Sequence, residues 1–295
     1  MSGGVPRSPA ASASAIYRWE RDKLELLDYC DTSEQTLQVA DSWLVSEGTT
    51  LAIELHRTRF LSSVDARGFG AATSQQHPGA GKFLDAENFW DAALATIPRD
   101  GEWFPRVELL SLSGAAHFRF RLRPSPERSL RIVLANHAGD DPRTAPLIKG
   151  PDLASMLRLR TIAQQRGADD AVLLSPLGFV VEGAHTSLLW WRGNTLCAPA
   201  PELERIDSVT AKSLITLATA LGYDLYYESV TPAELDGLEV WAVNALHGIR
   251  IVTAWVDGPS TAEVPGRLRK WRRLLDTLRK PLPPVARSET ETTSP

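Results

Sequence analysis

Two periodicities alternate along the chain and predict its elements. Residues 42–45 and 50–54 are apolar-rich runs on either side of Glu47-Gly48, the composition of a strand hairpin, and 56–66 suits the start of a helix. Over 85–97, Phe89, Trp90, Ala93 and Ile97 recur at helical spacing. Three strands are predicted next, at 106–112, 117–123 and 130–136. In the middle one Phe118, Phe120 and Leu122 alternate with Arg119, Arg121 and Arg123, so one face is core and the other meets solvent or an anion. Leu153, Met156, Leu157 and Ala163 mark a helix closed by Gly167. A meander follows, with strands at 171–175, 179–183, 187–191 and 195–198 and turns at 176–178 and Gly193-Asn194. A helix at 210–221 stopped by Gly222, strands at 239–243 and 249–256, and a basic helix near 268–278 complete the pattern. The arginines of that last helix read as a solvated face, with Leu268, Trp271, Leu275 and Leu278 inward. Sheets with helices in both halves make the fold α/β (α+β).

Breaks in this pattern suggest domains. The Ala/Ser-rich opening 1–14 and the close 282–295 carry too little apolar surface to offset ordering entropy and are expected to be disordered. Gly, Asp and Pro between Ala138 and Pro146 suggest a linker at 141–147, separating an N-terminal α/β domain at 15–140 from a C-terminal domain at 148–281. A net charge of −4 argues against nucleic acid as partner. The two cysteines, Cys30 and Cys197, belong to no cluster, so neither a disulfide framework nor a metal site is expected. No run of eighteen uncharged apolar residues or signal peptide is visible, so a cytoplasmic protein with no membrane contact is expected.

Three places could carry chemistry. Lysine is scarce, six residues in the chain, and only Lys149 has apolar surroundings, after Leu147-Ile148 and before Gly150-Pro151. Desolvation there would lower its pKa and make it a nucleophile toward an aldehyde, although taken alone it reads first as a linker lysine in water. Glu182, within the apolar run VVEGAHTSLLWW, needs a cationic partner if buried. A protonated pyridinium nitrogen would serve; a sheet-edge glutamate beside Gly183 is the equal alternative. Val209-Thr210 opens a helix whose free N–H groups and dipole could hold a phosphate, as many helix starts with Ser or Thr could.

Taken in order, these signals resemble the class IV aminotransferase family, the fold-type IV enzymes that use pyridoxal 5′-phosphate. The resemblance is carried by Lys149 with its helix, by GADDAVLLSPLGFVVEGAHTSLLWWRGNTLCAPAP, and by EVWAVNALHGIRIV; it covers residues 147–252 well and the first half faintly. It implies a two-domain fold, with a smaller N-terminal α/β domain, a C-terminal mixed-sheet pseudo-barrel and the cofactor at their junction, usually in a homodimer. It implies that Lys149 joins the cofactor aldehyde as an imine and later shuttles the substrate proton, and that Glu182 pairs with the ring nitrogen. Val209 and Thr210 would bind the phosphate, with Arg59 clamping it through the motif His56-x-x-Arg59, and Ser187 stands where an asparagine is common. Ile206-Asp207-Ser208 replaces the usual Leu-Pro-Gly, and Asp207 is unfavourable beside a phosphate dianion unless it turns away to cap the helix. The Gly-x-x-Phe-Glu-Thr segment that shapes the family's substrate pocket is not recognisable in DTSEQTLQVADSW.

Asn244-Ala245-Leu246 is similar to the lyases of the family, so the implied reaction on a small amine substrate is that of 4-amino-4-deoxychorismate lyase, forming 4-aminobenzoate and pyruvate. A branched-chain or D-amino-acid aminotransferase is the alternative, and a catalytically retired ligand-binding member the second. Asn244, Ala245, His185, His247 and Arg250 are candidates for substrate contact.

Overall fold

The computed structural model describes residues 14–27, 35–69, 85–112 and 115–284. Of the ends expected to be disordered, 1–13 and 285–295 lie outside the described residues, as do Cys30 and Lys82. Among the described residues, three sheets and five α-helices form a two-domain α+β arrangement.

The chain opens with a hairpin absent from the expected elements, β1 (Ala15–Glu20) and β2 (Lys23–Leu26), turned by Arg21 and Asp22 at φ 50 and 61°. Charged residues in left-handed backbone hide this turn from a search for Asn-Gly pairs. β3 (Thr36–Ser42) is equally unheralded. β4 (Val45–Ser46) and β5 (Thr49–Leu51) form the expected hairpin, with Glu47 and Gly48 both at positive φ. It is shorter than 42–54: Ala52, at φ 46°, ends the strand and begins α1 (Ile53–Ala66) three residues before His56. α2 (Ala86–Thr96) is capped by the Asp85 carboxylate, which accepts from Asn88 N at 2.9 Å. β6 (Glu102–Trp103) is followed by β7 (Arg106–Leu112) and β8 (Ala115–Leu122), joined in the order β2-β1-β8-β7-β3. Phe118 and Phe120 are buried against α1 and α2 beside Phe60 and Phe89, while Arg119 and Arg121 reach Glu108 on the opposite face at 2.5 and 3.2 Å.

β9 (Arg131–Asn136) leaves this sheet for the larger one, pairing with strands from late in the chain. α3 (Leu153–Gln165) precedes β10 (Asp170–Leu174), β11 (Val180–Gly183), β12 (Ser187–Arg192) and β13 (Thr195–Pro199), close to the expected meander. Then come α4 (Val209–Ala220), β14 (Leu225–Glu228), β15 (Glu239–Asn244), β16 (Gly248–Val256) and α5 (Arg267–Asp276). The eight strands run β11-β10-β9-β16-β15-β12-β13-β14. Leu214 and Ala218 of α4 and Trp271 of α5 pack on Trp191 and Trp241 of one sheet face, and Leu134, Val172, Trp190 and Val252 fill the other. β17 (Arg279–Pro281) returns to pair with β5, and Leu282 is buried beyond it, so the C-terminal strand fastens the hairpin that precedes α1. No helix among the described residues is long and apolar enough to cross a membrane.

Candidate active site

Lys149 stands in the irregular segment between β9 and α3, held by its backbone. Its carbonyl accepts from Ala40 N of β3 at 2.7 Å. Gly150, at φ 142°, would place a Cβ 2.8 Å from the Val39 and Ala40 backbone, so the close approach requires glycine. Asp152 fastens the preceding segment, accepting from Thr144 N and Ala145 N at 2.9 Å each. The Lys149 side chain enters a cavity of about 540 Å³ that all the expected site residues line. Burial, reinforced by Arg59 and Arg106 against the pull of Asp41 and Glu182, lowers its pKa to about 8.

Glu182 lies on β11 opposite Leu173 and is buried. Its cation within the protein is Arg143, from the segment expected to be a linker: Arg143 Nη1 donates to Glu182 Oε1 at 2.6 Å, and the guanidinium also grips Asp141 and the Glu204 carbonyl. Ile206 N donates to the same oxygen at 3.4 Å. Burial still outweighs these partners and raises the Glu182 pKa to about 7. Next to it Gly183 leaves no room for a side chain, since a Cβ would lie 2.2 Å from Thr186 Oγ1.

The start of α4 faces the same cavity. Ser208 is the cap, accepting from Ala211 N at 3.3 Å, while the N–H groups of Val209 and Thr210 carry no hydrogen bond among the described residues. Asp207 turns away without capping the helix: its carboxylate points outward to pair with Lys212, and only its carbonyl faces inward, accepting from Arg59 Nη1 at 2.8 Å. Arg59 also donates to Asp41 through Nε and Nη2 at 2.8 Å each, and His56 Nδ1 lies 2.8 Å from the same carboxylate. Burial opposes charge on Asp41, yet Arg59 and His56 outweigh it and hold the carboxyl below its usual range. The helix start and Arg59 therefore present positive potential where a phosphate was expected, with the acidic side chain turned away. A low-pKa amine, a buried carboxylate and this cradle in one cavity fit the expected cofactor.

Ser187 begins β12, buried opposite Val243 of β15. Asn244 uses its amide on the protein itself, donating to the His185 carbonyl at 3.1 Å and accepting from His247 N at 2.8 Å, which welds two loops at the cavity beside Ala245. His247 Nδ1 accepts from Ser129 N at 3.1 Å, and burial with the surrounding arginines pushes its pKa to about 4. His185 N donates to Asp170 at 3.1 Å. Arg250, on β16, is buried at the cavity wall. Sequence reasoning missed Asp41, whose segment carried no recognised motif, and Arg143, whose neighbours read as linker.

A family model described as amino-transferase class IV matches residues 38–255. Among solved structures, a fold IV transaminase, CpuTA1, from Curtobacterium pusillum superposes with a TM-score of 0.69 at 18% identity, covering 89% of this chain and 97% of that one. A branched-chain aminotransferase from Thermoproteus uzoniensis with norvaline gives 0.72 at 18%, covering 88% and 95%. A candidate 4-amino-4-deoxychorismate lyase from Legionella pneumophila gives 0.65 at 17%, covering 83% and 91%. No curated protein sequence matches the chain. At these identities the structures speak for the fold alone, and membership rests on the family model: running from the strand that anchors Lys149 to the strand that carries Arg250, it places the chain in the class IV aminotransferase family.

Proposed function

We propose that the chain is a pyridoxal 5′-phosphate enzyme acting on the amino group of a small amine. The observation that carries this is the meeting in one cavity of the half-buried Lys149 amine, lowered to about 8, the buried Glu182 carboxyl, raised to about 7, and the unpaired N–H groups at the start of α4. The Glu182 shift persists in spite of its contact with Arg143, and both shifts bring proton transfer to near-neutral pH. When bound, the cofactor supplies an electron sink for charge developing beside the substrate amine. Lys149 Nζ would hold the cofactor through its aldehyde carbon and would take and return the substrate proton. Glu182, steadied by Arg143, would hold a proton at the ring nitrogen. Arg59 and the N–H groups of Val209 and Thr210 would grip the phosphate, with Asp41 fixing the guanidinium for that contact.

Of the reactions open to this machinery, the resemblance of Asn244-Ala245-Leu246 favours the lyase over transamination. Incubation with 4-amino-4-deoxychorismate, and separately with branched-chain and D-amino acids plus 2-oxoglutarate, tests the choice. 4-Aminobenzoate with pyruvate supports the lyase, glutamate supports the aminotransferase, and formation of neither by the cofactor-loaded protein contradicts both.

A further inference from the structure

The cavity that Lys149 enters is also lined by Leu153, Met156 and Leu157, at one-turn spacing on α3, and by Arg250 of β16. Its residue is only 6% exposed, yet its Nε makes no hydrogen bond, and the residue has no ion pair among the described residues. The two nearby carboxylates are occupied. Asp170 accepts from His185 N, Thr186 Oγ1 and Ala171 N, and Asp169 accepts from Val133 N. Arg160, also on the cavity wall, donates Nε to the Asp169 carbonyl at 3.1 Å. A buried guanidinium with unused donors is costly unless something brings acceptors to it.

We propose that Arg250 holds a carboxylate of the substrate in the cavity that Lys149 enters. This rests on the reading of Lys149 as the residue that handles the substrate amine. The planar guanidinium suits a bidentate carboxylate. Asp169 and Asp170 beside it favour a single negative charge over a phosphate dianion. The leucines and methionine of α3 suit a carboxylate carried on an apolar skeleton. Arg250 is thereby a specificity-determining residue, and its unpaired charge is stability given up for recognition.

The test compares valerate, uncharged valeramide and inorganic phosphate as probes, titrated calorimetrically into the cofactor-loaded full chain. Valerate binding is expected, with valeramide and phosphate giving no binding heat. Arg250→Met should weaken valerate at least ~30-fold, the consequence of removing one partner of a buried charged contact, and Arg250→Lys should recover part of it. Arg123→Gln, which alters another cation on the cavity wall, should leave valerate within about 3-fold. Arg250→Met retains the side chain's apolar bulk, so it should melt no lower than wild type, whereas a purely structural Arg250 would melt lower on substitution. Unchanged valerate affinity in Arg250→Met, equal binding of valeramide, loss carried by Arg123→Gln, or no valerate binding to wild type would each overturn the proposal. Failure of the cofactor reading is seen separately, as wild-type protein that retains no cofactor on borohydride treatment.

Discussion

Individual residues in the cavity are set by the contest between burial and charge. Glu182 and Lys149 are both shifted toward neutrality, and in cofactor-free protein each shift ties stability to pH. The Glu182 carboxyl, raised from 4.5 to about 7, favours folding below the lower value, and that contribution is lost as pH rises through the upper one. Lys149, lowered from 10.5 to about 8, does the reverse: its contribution is present above the higher value and lost as pH falls through the lower. Glu182→Gln should therefore gain on wild type by roughly 2–3 kcal/mol between pH 5 and pH 8 in denaturant unfolding of cofactor-free protein. A difference independent of pH would show that the carboxyl is not shifted. Lys149 stood out as a rare lysine among apolar neighbours, yet alone it read as a linker lysine, and its order with the later motifs singled it out. Arg143 was not, since its pairing with Glu182 depends on a loop conformation that Gly, Asp and Pro composition describes only as irregular.

At the scale of elements, local chemistry was readable where it followed a regular period. α2 with its Asp85 cap, the alternating β8, and the strands from β10 to β13 lie within a few residues of expectation. The β1–β2 hairpin and β17 were not readable, because charged turn residues and a Pro-rich tail take their conformation from tertiary pairing. The coil carrying Lys149 belongs to this second class. Its course is dictated by one close approach to β3, and Gly150→Ala tests it. Strain at φ 142° together with contacts of 2.8 Å should destabilise the protein by about 2 kcal/mol or more, and should loosen cofactor binding by moving Lys149. Urea unfolding with and without cofactor measures both. A Gly150→Ala variant that matched wild type in each would show that the approach to β3 does not position the lysine.

For the whole molecule, the family resemblance seen in the second half anticipated the architecture, whereas the crossing of β9 from its neighbours in sequence into the larger sheet follows from long-range pairing that no local pattern encodes. Residues from α1, β3, β7, β11, α4, β15 and β16 meet in the one cavity, so a ligand there binds the folded chain and not the unfolded one. Pyridoxal 5′-phosphate at about 100 times its dissociation constant should add roughly 2.7 kcal/mol to stability. In thermal melts the midpoint should rise with cofactor concentration in wild type and much less in Lys149→Ala, an equal rise in both being evidence against capture by that lysine.

Most direct is peptide mapping by mass spectrometry of the full chain after incubation with pyridoxal 5′-phosphate and borohydride reduction. One stoichiometric phosphopyridoxyl group on the peptide containing Lys149, absent from Lys149→Ala, is the expected result. Modification spread over the other lysines, or none retained after reduction, would contradict the account at its centre.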